Sequence, residues 1–187
     1  MKKWCRSSVF ALLALGFFVS GSAVQAASTK TVITEIPGFK VNLNGMRIYS
    51  PASPYPILFY KDITYFPLTW DYCQSLGLTI NWSQDGGLEI QNTGTGMTEM
   101  KQDLSGNNDS NGTFTAVLPS YPIKVNGEII DNSAEDYPLL NFRDITYFPM
   151  TWRFAHDAFN LKIDFSTGGG LSIIREGAPM TPQPGRY

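Results

Sequence analysis

The chain has 187 residues, of which 43% are hydrophobic, 13% aromatic and 16% charged, a profile that excludes both a charged disordered chain and a collagen-like one. Lys and Arg number 14 against 16 Asp and Glu, so the net charge is -2, and without a basic block nucleic acid is not an expected partner. A chain of this length can bury a core without staples.

Lys2, Lys3 and Arg6 precede an apolar, uncharged stretch from Val9 to Ser20, and Val24-Gln25-Ala26 follows as a cleavage boundary. The apolar stretch is about a dozen residues, short of the ~20 that a transmembrane helix needs. Residues 1–26 therefore read as a secretory signal peptide, an uncleaved anchor being the alternative, and no membrane span is expected in the mature chain. Cys5 lies before the apolar stretch, which argues against a lipid-modified cysteine. Removing Lys2, Lys3 and Arg6 leaves 11 basic residues against 16 acidic ones, a balance of -5. That acidity disfavours adhesion to anionic polymers through net charge alone. Cys73 is the one cysteine beyond the signal, so no intrachain disulfide can form.

The mature chain repeats itself. Asp62-Ile63-Thr64-Tyr65-Phe66-Pro67-Leu68-Thr69-Trp70 returns as Asp144-Ile145-Thr146-Tyr147-Phe148-Pro149-Met150-Thr151-Trp152, differing only at Leu68 and Met150. The same spacing places Ile36-Pro37 on Leu118-Pro119, Phe39 on Tyr121, Asn44-Gly45 on Asn126-Gly127 and Tyr55-Pro56 on Tyr137-Pro138. One extra residue in the second helix then brings Ile80, Trp82, Leu88 and Ile90 onto Ile163, Phe165, Leu171 and Ile173.

In chain order, residues 31–41 and 113–125 hold alternating apolar residues closing on Asn-Gly, a hairpin turn signal. Residues 57–66 and 139–148 are rich in β-branched and aromatic residues, with Lys61-Asp62 and Arg143-Asp144 as their turns. Pro67 and Pro149 fit the first position of a helix. Leu68, Tyr72, Cys73 and Leu76, matched by Met150, Phe154, Ala155 and Ala158, form its apolar stripe, and Gly77 and Asn160 suit its left-handed stop. A closing hairpin turns at Asp85-Gly86-Gly87 and again at Gly168-Gly169-Gly170. Between the copies, residues 92–112 have the Gly, Asn, Ser and Asp content of a linker or long loop. The predicted fold is α+β: two repeated modules, at 27–91 and 113–175, each an antiparallel β-sheet with hairpins packed on one short α-helix, followed by a flexible tail at 176–187.

The Asn-Gly hairpin, the (R/K)DITYFP(L/M)TW block, the helix stopped by Gly77 or Asn160, and the Ile80-x-Trp82 or Ile163-x-Phe165 hairpin together resemble the copper amine oxidase N-terminal-like, or stalk, domain family of exported bacterial proteins. The likeness covers nearly all of both copies. Asp62 and Asp144 stand where that family's block carries Arg, and Thr69-Trp70 replaces its Arg-aromatic pair. The resemblance implies a surface or wall-associated accessory module. It does not imply amine oxidation, since the copper histidines and cofactor tyrosine of such enzymes belong to a separate catalytic domain.

The residues that could carry chemistry point the same way. Copper or zinc needs several converging ligands, and His156 is the one histidine, on the helix face away from the apolar stripe. Cys73 falls on that stripe and reads as a buried thiol, not a nucleophile. Asp62 and Asp144 read as turn carboxylates bonded to their own backbone, and Gly168-Gly169-Gly170 as a turn, not a phosphate loop. No catalytic, metal or cofactor residue is therefore assigned, no enzyme is expected, and binding residues stay unassigned. The recurring aromatics Tyr65, Tyr147, Trp70, Trp152, Trp82 and Phe165 are expected in the core, with Tyr49, Phe59 and Tyr60 freer to lie outside. The expected function is an exported, non-catalytic tandem module for interaction or spacing at the bacterial cell surface or wall, secreted, with a wall polymer or surface protein as partner. The alternatives are a carbohydrate- or wall-peptide-binding protein and, more distantly, a hydrolase.

Overall fold

A computed structural model describes residues 30–94 and 99–178. The predicted signal peptide and the tail from residue 179 onward lie outside the described residues. The first copy runs β1 (Thr31–Glu35), β2 (Val41–Leu43), β3 (Met46–Ile48), β4 (Leu58–Tyr60), β5 (Ile63–Pro67), α1 (Trp70–Leu76), β6 (Leu78–Ser83) and β7 (Gly87–Asn92). The second follows the same order with β8 (Thr113–Val117), β9 (Ile123–Val125), β10 (Glu128–Ile130), β11 (Leu140–Phe142), β12 (Ile145–Pro149), a π-helix (Trp152–Ala158), β13 (Leu161–Ser166) and β14 (Gly170–Arg175). The chain is mostly β, with a short 3-10 turn at Ser50–Ala52.

The sheets are not assembled copy by copy, and this corrects the expectation of one antiparallel sheet per copy. A closed barrel runs β1-β4-β5-β12-β11-β8, and two outer sheets run β10-β9-β7-β6 and β13-β14-β2-β3. Each closing hairpin thus crosses to the other copy: β7 pairs in parallel with β9, and β14 in parallel with β2. The reason is core size. Leu88 and Ile90 of one hairpin, and Leu171 and Ile173 of the other, join a single apolar cluster with Phe66, Phe148, Tyr72 and Phe154 that half the chain could not have filled alone.

Two of the barrel pairings set repeat-equivalent residues opposite each other. Phe66 faces its own repeat equivalent Phe148 where β5 meets β12, and Ile33 faces its equivalent Thr115 where β1 meets β8. Tyr65 and Tyr147 point from β5 and β12 into the barrel, with Val32, Leu58, Ala116, Leu140 and Phe142 around them. Phe66 and Phe148, one residue on, point to the opposite face and the main core.

Pro67 and Pro149 end strands instead of opening helices. Leu68 N donates to Thr146 O at 2.8 Å and Met150 N to Thr64 O at 2.9 Å, so the ladder continues past each proline and the helices start at Trp70 and Trp152. The left-handed stops are as expected, Gly77 at φ 66° and Asn160 at φ 53°. The extra residue of the second copy is absorbed as a wider turn: Phe159 N donates to Phe154 O, five residues back, at 3.0 Å.

The recurring Asn-Gly turns tie the copies together. Asn44 (φ 48°) donates Nδ2 to Ser75 O at 2.8 Å, at the end of its own helix, and its Oδ1 accepts from Arg175 N of the exchanged hairpin at 2.8 Å. Asn126 repeats this, with Nδ2 to Ala158 O at 2.9 Å and Oδ1 accepting from Asn92 N at 2.8 Å. The second half of the connector is a strap. Asn108 is buried and donates Nδ2 to the carbonyls of Ser53 and Pro51 at 2.7 and 3.1 Å, and its Oδ1 accepts from Arg143 Nη2 at 2.9 Å.

Candidate functional site

Four of the six recurring aromatics are on the surface, contrary to the expectation that they fill the core. Tyr65 and Tyr147 are buried, but Trp70 is 73% exposed, Trp152 64%, Trp82 60% and Phe165 59%. Helix geometry explains the first two. At about 100° per residue Trp70 lies roughly 110° from the centre of the Tyr72, Cys73 and Leu76 stripe, beyond the buried face. For Trp82 and Phe165 the strand alternation holds and the core runs out. On β6 burial falls from Leu78 through Ile80 to Trp82, and on β13 from Leu161 through Ile163 to Phe165, as each hairpin overhangs the edge of the packed interior.

The overhanging rings meet others. Phe39, between β1 and β2, sets its ring edge-to-face on Phe59 of β4 at 5.4 Å and on Phe165 of β13 at 5.3 Å. The three line a cleft of about 400 Å³ together with Asp62, Ile63, Thr64, Met150 and Leu171. At the equivalent place in the other copy, Trp82 meets Tyr121 edge-to-face at 4.7 Å. There Tyr121 Oη lies 2.5 Å from Thr146 Oγ1 and accepts from Asn141 Nδ2 at 3.3 Å. One frame therefore presents an apolar ring cluster on one side and a hydrogen-bonding one on the other. Rings with half-exposed faces beside hydroxyl and amide groups suit flat, hydroxylated ligands.

The remaining candidates resolve individually. His156 is exposed, stacks on Trp152 at 4.0 Å and shares a 2.9 Å contact with Asp157 Oδ1. Cys73 is buried, and desolvation pushes its thiol up to about 12, which leaves it protonated and unreactive. Asp62 and Asp144 do not bond their own backbone as expected. Both sit at positive φ (63° and 62°) directly after Lys61 and Arg143, also at positive φ, so these turns need two left-handed residues and Asp recurs for its tolerance of that conformation. Gly168-Gly169-Gly170 is the β13–β14 turn. Among the described residues no three His, Cys, Asp or Glu side chains come together as a metal-binding group, and no helix is long and apolar enough to cross a membrane.

The buried hydroxyls make the fold alkali-sensitive. Burial pushes the phenols of Tyr65, Tyr72 and Tyr147 well above their ordinary value, and Tyr65 Oη and Tyr147 Oη have no hydrogen-bond partner among the described residues. With folded values raised above unfolded ones, the stabilisation is complete below the unfolded thiol and phenol values, about 8.5 and 10, and is lost progressively as pH climbs from these towards the folded ones, by up to ~1.4 kcal/mol per pH unit per group. The urea midpoint is expected to hold steady from pH 6 to 8.5 and to fall steeply above 9.5. Phenolate absorbance should show three tyrosines ionising only with unfolding. A flat midpoint up to pH 11 would contradict this account.

No protein-family model, curated protein or solved structure matches the chain.

Proposed function

We propose that the chain is an exported, non-catalytic surface module of the stalk-domain kind, secreted and wall-associated, that holds a cell-wall polymer through its exposed aromatic rings. The observation that carries this reading is the exposure of Trp82 and Phe165, each locked edge-to-face against a second ring at matching places in the two copies. A spacer would bury its recurring rings, because exposed ones add no stability and invite association. Interaction, not spacing, is therefore the favoured half of the expected role, and a glycan is the favoured partner because sugar rings offer flat C–H faces to aromatics. Export rests on the predicted signal peptide, and the module pair at 27–91 and 113–175 is a division of the sequence whose sheets are shared.

The test is a pull-down of the mature chain on purified cell wall, separated into glycan and protein fractions. Retention is expected on glycan, and a Trp82→Ala, Phe165→Ala variant should lose about tenfold or more in affinity, as for rings central to an interface. Unchanged retention of the variant would sink the aromatic reading; retention on neither fraction would sink the wall-binding role.

A further inference from the structure

We infer that a cleft of about 630 Å³ binds an anionic glycan, its sugar rings on Phe39 and Tyr49 and its phosphate or carboxylate groups on Lys40 and Arg47. This rests on the wall-polymer reading above and narrows it to a charged polymer at a named site. Four stretches distant in sequence build the cleft: residues 36–41, residues 47–51, Ser110 and Asn111 of the connector, and the exchanged turn near Gly168. Among the described residues no acidic one lines it. Neither Lys40 nor Arg47 makes an ion pair among the described residues, and the arginine is held instead over the Tyr49 ring, 5.7 Å from its centre. Tyr49 is 54% exposed. In a mature chain of net charge -5, two unpaired cations in one groove beside two aromatic rings concentrate positive potential where the whole-molecule charge would repel an anion.

The repeat supplies an internal control. β9 and β10 pair in the same register as β2 and β3, yet Pro122, Ile129 and Asp131 occupy the positions of Lys40, Arg47 and Tyr49. Ile129 is 75% exposed where Arg47 stands, so the fold does not require a cation there. The cationic-aromatic set belongs to this cleft alone of the two equivalent places. It is also preorganised from behind. Gln102 of the connector accepts from Tyr49 N at 2.8 Å and donates to Arg47 O at 2.7 Å, pinning the backbone that carries both side chains. Phe39 also lines the Phe59 and Phe165 cleft, so the two adjoin at that ring. Lys40 and Arg47 also line an adjoining cleft of about 400 Å³, where Asp164 stands without an ion pair to either cation among the described residues.

The test is calorimetric titration of the mature chain with phosphomannan, polygalacturonate and neutral dextran of matched length, at 50 and 300 mM salt. At least one anionic polymer should bind about tenfold or more tighter than dextran, and weaken with salt as screened charge contacts do. The two anionic arms tell phosphate from carboxylate. A Lys40→Gln, Arg47→Gln variant should lose that preference while keeping its thermal midpoint, and Lys40→Arg with Arg47→Lys should restore it. Equal binding of neutral and anionic polymers, or an unchanged preference in the glutamine variant, would overturn the proposal. If wall glycan is still retained through Trp82 and Phe165 in that case, only the anionic site fails; no retention at all removes the broader reading with it.

Discussion

Gly170→Ala is expected to cost about 3 kcal/mol or more of folding stability, Gly87→Ala a similar amount, and Gly168→Ala next to nothing. The three glycines lie in the closing hairpins but face different surroundings. Gly170 has φ +75° and its added Cβ would stand 2.0 Å from Lys40 O; Gly87 has φ +71° and the same clash with Pro122 O. Both carbonyls are backbone and fixed by the crossing itself, since Lys40 O accepts from Leu171 N at 2.8 Å and Pro122 O from Leu88 N at 2.9 Å. A methyl group can be admitted only by lifting the exchanged hairpin off the strand it joins. A left-handed conformation adds about 1–3 kcal/mol for any residue with a Cβ. Gly168 has open space and no such φ, so its substitution serves as the control. Urea unfolding of the three variants checks the ordering. Gly170→Ala within about 1 kcal/mol of the parent chain would mean that the hairpin docks less tightly than the geometry requires.

Chain order and turns were legible because their signals are local. Asn-Gly, Lys61-Asp62 with Arg143-Asp144, and Gly77 with Asn160 all fall at positive φ, and left-handed turns select such residues whatever surrounds them. The extra residue of the second copy fell where sequence register placed it, in the helix, although only the structure shows it as a π-turn between Phe154 and Phe159. Sheet membership was not legible. Leu88 and Ile90 carry the same alternating pattern whether they pair with β2 of their own copy or β9 of the other, because period two specifies a face and not a partner. The aromatic residues were misplaced for a related reason: alternation gives the inward side of β6 but not how far along it the core extends, so Trp82 reads like Leu78. The aromatic clefts and the Lys40 and Arg47 groove needed that missing topology, since each joins a hairpin of one copy to strands of the other.

Arg175→Ala is expected to cost about 3–4 kcal/mol and Arg175→Met about half as much, because Ala both empties a packed volume and abandons a buried carbonyl whereas Met does only the second. Arg175 is 1% exposed and is among the largest fully buried side chains. Among the described residues it has no carboxylate partner. Its Nε donates to Leu76 O at 2.6 Å, in the last turn of α1, and its Nη2 to Asn92 Oδ1 at 2.8 Å, while Nη1 is buried without a partner among the described residues. Desolvation lowers its pKa, yet an arginine stays charged at neutral pH, so carbonyl dipoles at a helix end must replace its hydration. The sequence-repeat equivalent of Arg175 is Asn92, the residue it bonds, so the two ends of the exchanged hairpins meet each other here. Asn92 Oδ1 keeps a second donor in Gly94 N at 3.0 Å, but Leu76 O would be orphaned. The loss should therefore be felt first where the β14 end holds α1. Hydrogen exchange of the β13–β14 amides should quicken more than that of β6–β7 in both variants, beside the shift in urea midpoint. Equal quickening in the two hairpins, or a midpoint unmoved by Arg175→Ala, would show that the guanidinium does not fasten the exchange.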